Sequence, residues 1–68
     1  MSVARVTEIK SASTISFQDA LEQGIARACK TLENVKSAWI ENQEVQVDEN
    51  GSICMYLVQM KVTFVLED

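Results

Sequence analysis

A small α+β domain of order β-α-β-β, with one amphipathic helix packed on a three-stranded antiparallel sheet, is what this 68-residue sequence predicts. Three observations carry that reading. Apolar residues recur at helical spacing from Phe17 to Val35, an Asn-Gly pair divides the second half of the chain, and residues 53–66 alternate with the period of a strand. With no linker, repeat, low-complexity tract or proline, residues 1–68 read as a single domain.

"VARVTEIK" is the first strand, mixing β-branched residues and charges over residues 3–10, and "SASTIS" after it is a loop. Ser16 followed three residues later by Asp19 resembles a capping box with Asp in place of the usual Glu or Gln, so a helix starts there. Phe17, Ala20, Leu21, Gly24, Ile25, Ala28, Leu32 and Val35 form its packed face, while Gln18, Glu22, Gln23, Arg27, Lys30 and Glu33 take the solvent side. Small residues four apart, Ala20, Gly24 and Ala28, run down the middle of the stripe. Gly24 costs about 1 kcal/mol of helix propensity against alanine, and close approach of helix to sheet is the expected compensation.

Two longer strands follow, from Ser37 to Val47 and from Ile53 to Leu66, joined at "DENGS" by a two-residue turn at Asn50-Gly51. In the last strand Tyr56, Val58, Met60, Val62, Phe64 and Leu66 face the helix. The strand before it changes phase: Ala38 and Ile40 are apolar at even positions, Val45 and Val47 at odd ones. A β-bulge near Asn42 to Glu44 reconciles the halves, since one extra residue switches which side chains point inward. Val45 then pairs with Tyr56, Ile40 with Met60 and Ala38 with Val62, burying the apolar residues of that half-sheet together. Trp39, the single tryptophan, points away from the helix beside Ser37 and Glu41. Without a bulge Trp39 is a core residue and Ile40 is exposed; the bulged register is the expectation.

A chain this short buries only about 60% of the surface its unfolded form exposes, so it calls for a staple such as disulfides, a metal or partner subunits. Two cysteines, Cys29 and Cys54, and no histidine argue against a disulfide framework and against a tetrahedral zinc site. Free, half-buried structural thiols in a reduced cytosolic protein are expected, which leaves oligomerisation as the staple. The net charge of −4 and six scattered basic residues speak against nucleic acid as a partner. No apolar run reaches the ~20 residues of a spanning helix, and "MSVARVTEIK" lacks the features of a signal peptide, so no membrane partner and a cytoplasmic location are expected.

The order strand, helix, strand, strand, with "RVTEI" opening, "SF" at the helix start, "ARA" within it and "MKVTFVLED" closing, resembles the dodecins over nearly the whole chain. The resemblance implies twelve copies closed into a hollow sphere, a homododecamer that holds flavins (FMN, riboflavin or FAD) in pairs at subunit interfaces. It implies a tryptophan on the second strand stacked on the isoalloxazine, a glutamine on the third contacting it, and a storage or buffering role without catalysis. Aligned from "SF" without a gap, the family's tryptophan falls at Ser37; aligned from "MKVTF", its glutamine falls at Leu57. Trp39 and Gln59 stand two places later, on the same strand faces. A two-residue insertion before the tryptophan is the other alignment; "WIE" resembles the "WFE" of some members, and it restores Trp39 alone. Some relatives without the flavin tryptophan bind other small ligands or calcium, so a shell without flavin is the alternative.

Each singled-out residue has a plainer reading as well. Trp39 is either a platform for a planar ligand or a subunit contact. Gln59 either reads a flavin's polar edge through its amide or is an ordinary strand residue. Glu41, Glu44, Asp48, Glu49, Glu67 and Asp68 offer oxygen ligands without the spacing of a dedicated cation loop, and a solvated acidic surface is expected. Ser13, Thr14 and Ser16 have no histidine partner and read as loop and cap residues. No pair of carboxylates is held at a defined separation by the sequence, and catalysis is not expected. Leu57 and Val65, apolar but outside the core, fit contacts between subunits.

Overall fold

The computed structural model describes residues 3–66, and the expected order holds. Strand β1 spans Val3–Ser13, helix α1 Phe17–Thr31, β2 Val35–Val47 and β3 Ile53–Leu66. The strands form one antiparallel sheet in the order β1-β3-β2. Central position suits β3, whose fourteen residues include one charge, Lys61, and which is paired along both edges.

The first strand outruns its expected end at Lys10. Ser11, Ala12 and Ser13 pair with Val58, Leu57 and Tyr56, and the serines find partners at the start of the helix rather than in a turn. Ser11 Oγ donates to Ala20 O at 2.6 Å, while buried Ser13 donates to Asp19 Oδ2 and accepts from the Ile15 N–H. Small hydroxyl side chains thus continue the strand where it passes beneath α1. Half of the capping box is present: Ser16 Oγ accepts from the Asp19 N–H at 3.0 Å. The Asp19 carboxylate turns to Ser13 and Gln23 instead of back to the Ser16 N–H.

The helix meets the sheet along its small-residue stripe, with Ala20, Gly24 and Ala28 buried. A Cβ added at Gly24 would stand 2.8 Å from Met60 Cε and 2.9 Å from Ser11 Cβ, so glycine's propensity cost is exchanged for contact with both strands beneath. Val58, Met60 and Val62 are fully buried under it, each contributing roughly 1.5–3 kcal/mol by removal from water. Ile9, Phe17, Leu21, Ile25, Leu32, Val35 and Ala38 surround them, and Phe17 meets Tyr56 edge-on with centroids 5.1 Å apart.

Helix and strand lengths do not match. A 15-residue helix is about 22 Å long and a 14-residue strand about 48 Å, so both ends of the sheet stand clear and the molecule measures 53 × 19 × 14 Å. Leu66, on the helix side by alternation, is exposed for this reason. Moreover α1 lies over β1 and β3 more than over β2. Ile40 and Val45, expected to be buried with their neighbours, take the predicted side but stay over a third exposed.

In β2 the predicted pairs Ala38↔Val62, Ile40↔Met60 and Val45↔Tyr56 all occur. The irregularity between them falls one residue before the expected segment: Glu41 is the extra residue between Ile40↔Met60 and Asn42↔Gln59. Near the hairpin two departures cancel. Asp48 pairs across to Ser52, Gly51 N–H donates to Asp48 O, and Gly51 has φ +80°, which makes a three-residue turn, Glu49 to Gly51, in place of the predicted two. Asp48 Oδ1 accepts from the N–H groups of Asn50 and Ser52 and fixes that turn. Such a turn offsets the register by one, and Cys54, the extra residue between Val47↔Ile53 and Gln46↔Met55, restores it.

Candidate functional site

The sheet face turned away from α1 collects the sequence-predicted residues. Alternation puts Ser37 and Trp39 of β2 there with Leu57, Gln59 and Lys61 of β3, and the β1 partner of Lys61 is Glu8. Trp39 is 70% exposed and takes no part in the core. Its neighbour across the strands is Lys61, whose Nζ lies 5.8 Å from the centre of the indole, within cation-π range. Ser37, opposite Thr63, is exposed; Leu57, between Ala12 and Glu44, is half-buried. The four predicted residues therefore share one face, but the bulge at Glu41 sets Trp39 against Lys61 and Gln59 against Asn42.

Gln59 is engaged within the protomer. Its Nε2 donates to Glu8 Oε1 at 3.0 Å, which leaves the amide oxygen for another donor. Lys61 Nζ is 3.6 Å from Glu41 Oε2, and Lys10 pairs with Glu44 at the neighbouring position. Glu8 and Glu41 were not separable from an ordinary acidic surface by sequence. In the structure both approach the same pair of β3 side chains, Glu8 through Gln59 and Glu41 through Lys61: hydrogen bonding to Glu41, then to Gln59, holds Glu8 below the usual glutamate range, while hydrogen bonding to Glu8, then desolvation, raises Glu41. Glu41 Oε1 is enclosed with no hydrogen-bond partner among the described residues. Only the β1–β3 register, which brings Glu8 beside Lys61, would have revealed this neighbourhood, and single-strand alternation does not supply that register.

The remaining expected roles resolve variously. Asp48 serves the turn and Glu44 its ion pair, whereas Glu67 and Asp68 lie outside the described residues. Among the described residues no three Cys, Asp or Glu side chains gather as a metal site. The thiols correct the sequence reading: both are free, as expected, but Cys29 and Cys54 are exposed rather than half-buried. Position 29 follows the buried Ala28 by one residue, about 100° round the helix and off the packed stripe; Cys54 sits at the extra position beside the turn, with Sγ against Gln46 O at 3.4 Å. A groove between α1 and β1, lined among others by Thr7, Ile9, Gln23, Arg27 and Lys30, opens on the helix side and includes none of the four predicted residues. No helix among the described residues is long and apolar enough to cross a membrane.

Trp39 is 70% exposed on an open sheet face, so any enclosed site there requires a second chain or a ligand. Comparison with known proteins bears on which. The family profile described as Dodecin matches residues 3–67. Among solved structures, a dodecin from Streptomyces davaonensis superposes with TM-score 0.93 at 33% identity, covering 98% of this chain and 97% of that one. A Thermus thermophilus dodecin does so with TM-score 0.92 at 26% identity, covering 100% and 98%. The calcium dodecin of Mycobacterium tuberculosis, described as calcium-chelating, is similar at TM-score 0.83 and 26% identity over 96% and 91%. No curated protein sequence matches. The match of profile, fold and length settles the family: this chain belongs to the dodecins.

Proposed function

We propose that the protein is a non-enzymatic flavin-binding store, assembled as a homododecamer in the cytoplasm, with FMN, riboflavin or FAD held between subunits against Trp39. One observation carries the ligand half: an indole 70% exposed on a sheet face, with the Lys61 ammonium 5.8 Å from its centre and Gln59 two residues before that lysine on the same face. An aromatic face of that kind suits a planar, polarizable ring system. Gln59 offers its amide oxygen to the ring edge, and Ser37 and Leu57, one step along each strand on the same face, border the stack. Assembly draws support from the family and from the apolar surface a lone protomer presents: Val3, Val6, Ile15, Val47 and Ile53 are each more than half exposed.

Flavin fluorescence tests this directly. Added riboflavin or FMN should be quenched by micromolar protein, and Trp39→Ala should weaken that binding about tenfold or more while the oligomer seen by size exclusion persists. Quenching retained in Trp39→Ala would remove the indole from the site, and dissociation of the variant would make Trp39 an assembly residue. A second reading, a dodecin shell that holds another small ligand or a divalent cation, draws on the likeness to the calcium dodecin. Native mass spectrometry separates the two, since it weighs subunit number and bound mass together.

A further inference from the structure

We propose that the β2–β3 hairpin is an arm that seats in the groove between α1 and β1 of a second copy of this chain, with its acidic tip against Arg27 and Lys30. The arm is built to need a partner. Pairing of β1 with β3 stops at Ser13↔Tyr56, whereas β2 and β3 stay paired out to Val47↔Ile53. Beyond Tyr56 the sheet is therefore a two-stranded ribbon. It also runs past the start of the helix, since Phe17, the first residue of α1, is the one that meets Tyr56. Every residue from 42 to 54 is exposed, with Val47 at 56% and Ile53 at 52%. A two-stranded hairpin is marginal in water unless a further strand or a helix packs on it, and this one is left uncovered by its own protomer.

Charge indicates where the arm goes. Asp48 and Glu49 are the only charged residues between Val45 and Leu57, and Glu49 makes no ion pair among the described residues. The groove is the reverse. Lys10, Arg27 and Lys30 line it and no acidic residue does, in a chain whose net charge is −4. Lys10 is paired with Glu44, but Arg27 and Lys30 have no ion-pair partner among the described residues. Ile9 and Ala28 on the groove wall offer the aliphatic pair of the arm an apolar surface to cover. The arm cannot fold back into the groove of its own chain. On α1 the lining runs from Gln23 to Leu32, towards the end of the helix remote from the Phe17–Tyr56 contact where the arm departs. Contact is therefore between copies, and because it joins two different surfaces it repeats head to tail and closes only when the rotation between copies allows.

This inference rests on the assembly half of the proposed function and not on its ligand half. Charge reversal tests it in the full-length protein, with native mass spectrometry over a dilution series giving the concentration at which the assembly is half dissociated. Glu49→Lys and Arg27→Glu should each raise that concentration about tenfold or more, because like charges then face each other across the contact. Combining them restores the attraction and should return it to within about threefold of wild type. Proximity is read separately, so that a poorly folded reversal variant does not decide the matter. In the Cys29→Ser background, Gln23→Cys treated with a short bismaleimide should give covalent multimers through the native Cys54, whereas Cys29→Ser alone should give none. Assembly unchanged in both reversals, weakening without recovery in the combination, or cross-links that are absent or survive Cys54→Ser would overturn the contact while the assembly stands. A wild type that stays monomeric at every concentration would sink both.

Discussion

The two faces of the sheet are built from the same three strands and held by different physics. Under α1, Val58, Met60 and Val62 are wholly enclosed and Gly24 lies so close that a single added carbon would collide with Met60 and Ser11. On the opposite face the contacts are polar and open: Lys10 with Glu44, Lys61 with Glu41 and Trp39, Gln59 with Glu8. Close packing determines stability, because lost volume is not refilled. The open face contributes little to holding one protomer together and is correspondingly free to carry ligand chemistry. Glu41 joins the two regimes, since its insertion in β2 lets Ile40 look inward while Trp39, Glu41 and Asn42 look out.

The largest expected effect follows from truncating the inner face. Met60→Ala removes the largest fully buried side chain from beneath Gly24 and should cost about 2–5 kcal/mol, read from urea unfolding at fixed protein concentration because assembly is linked to stability. A loss below that of an ordinary surface substitution would show that assembly, not the protomer core, dominates. Deleting Glu41 should do much less, changing stability by about 1 kcal/mol or under. Asn42↔Gln59 and Ile40↔Met60 become consecutive pairs, so the deletion regularises the ladder and preserves which residues face the helix. Trp39 emission should keep its wild-type wavelength. A strong blue shift would mean that the indole had turned inward and that the bulge had been holding it out.

The sequence exposes the inner face better than the outer one, and the reason is periodicity. Alternation in β3 and the i, i+3, i+4 stripe of α1 are single-element signals, so the core and the placement of Trp39 could be read from residue order alone. Val45↔Tyr56 was correctly paired although the turn was mistaken, because the three-residue turn and the extra Cys54 offset each other. What stayed hidden depends on relations between elements. How far α1 covers β2 decides the exposure of Ile40, the helix start decides that Ser11 and Ser13 stay in the strand, and the β1–β3 register decides that Glu8 meets Gln59 and Lys61. The four predicted residues share one face, as a period of two requires, and Trp39 meets Lys61 through the β2–β3 register; Glu8 as partner of the Gln59 amide depends on the β1–β3 register.

The smallest effect expected is at the ion pair that most resembles a stabilising feature. Lys10 and Glu44 reach across β3 from the two edge strands, and each side chain is about half exposed, 49% and 53%. Water screens such a pair, and ordering two long side chains offsets much of the attraction. Lys10→Gln should therefore change unfolding free energy by no more than about 0.5 kcal/mol, and the change should vanish in high salt. A stability loss comparable to Met60→Ala would contradict the division of labour between the faces.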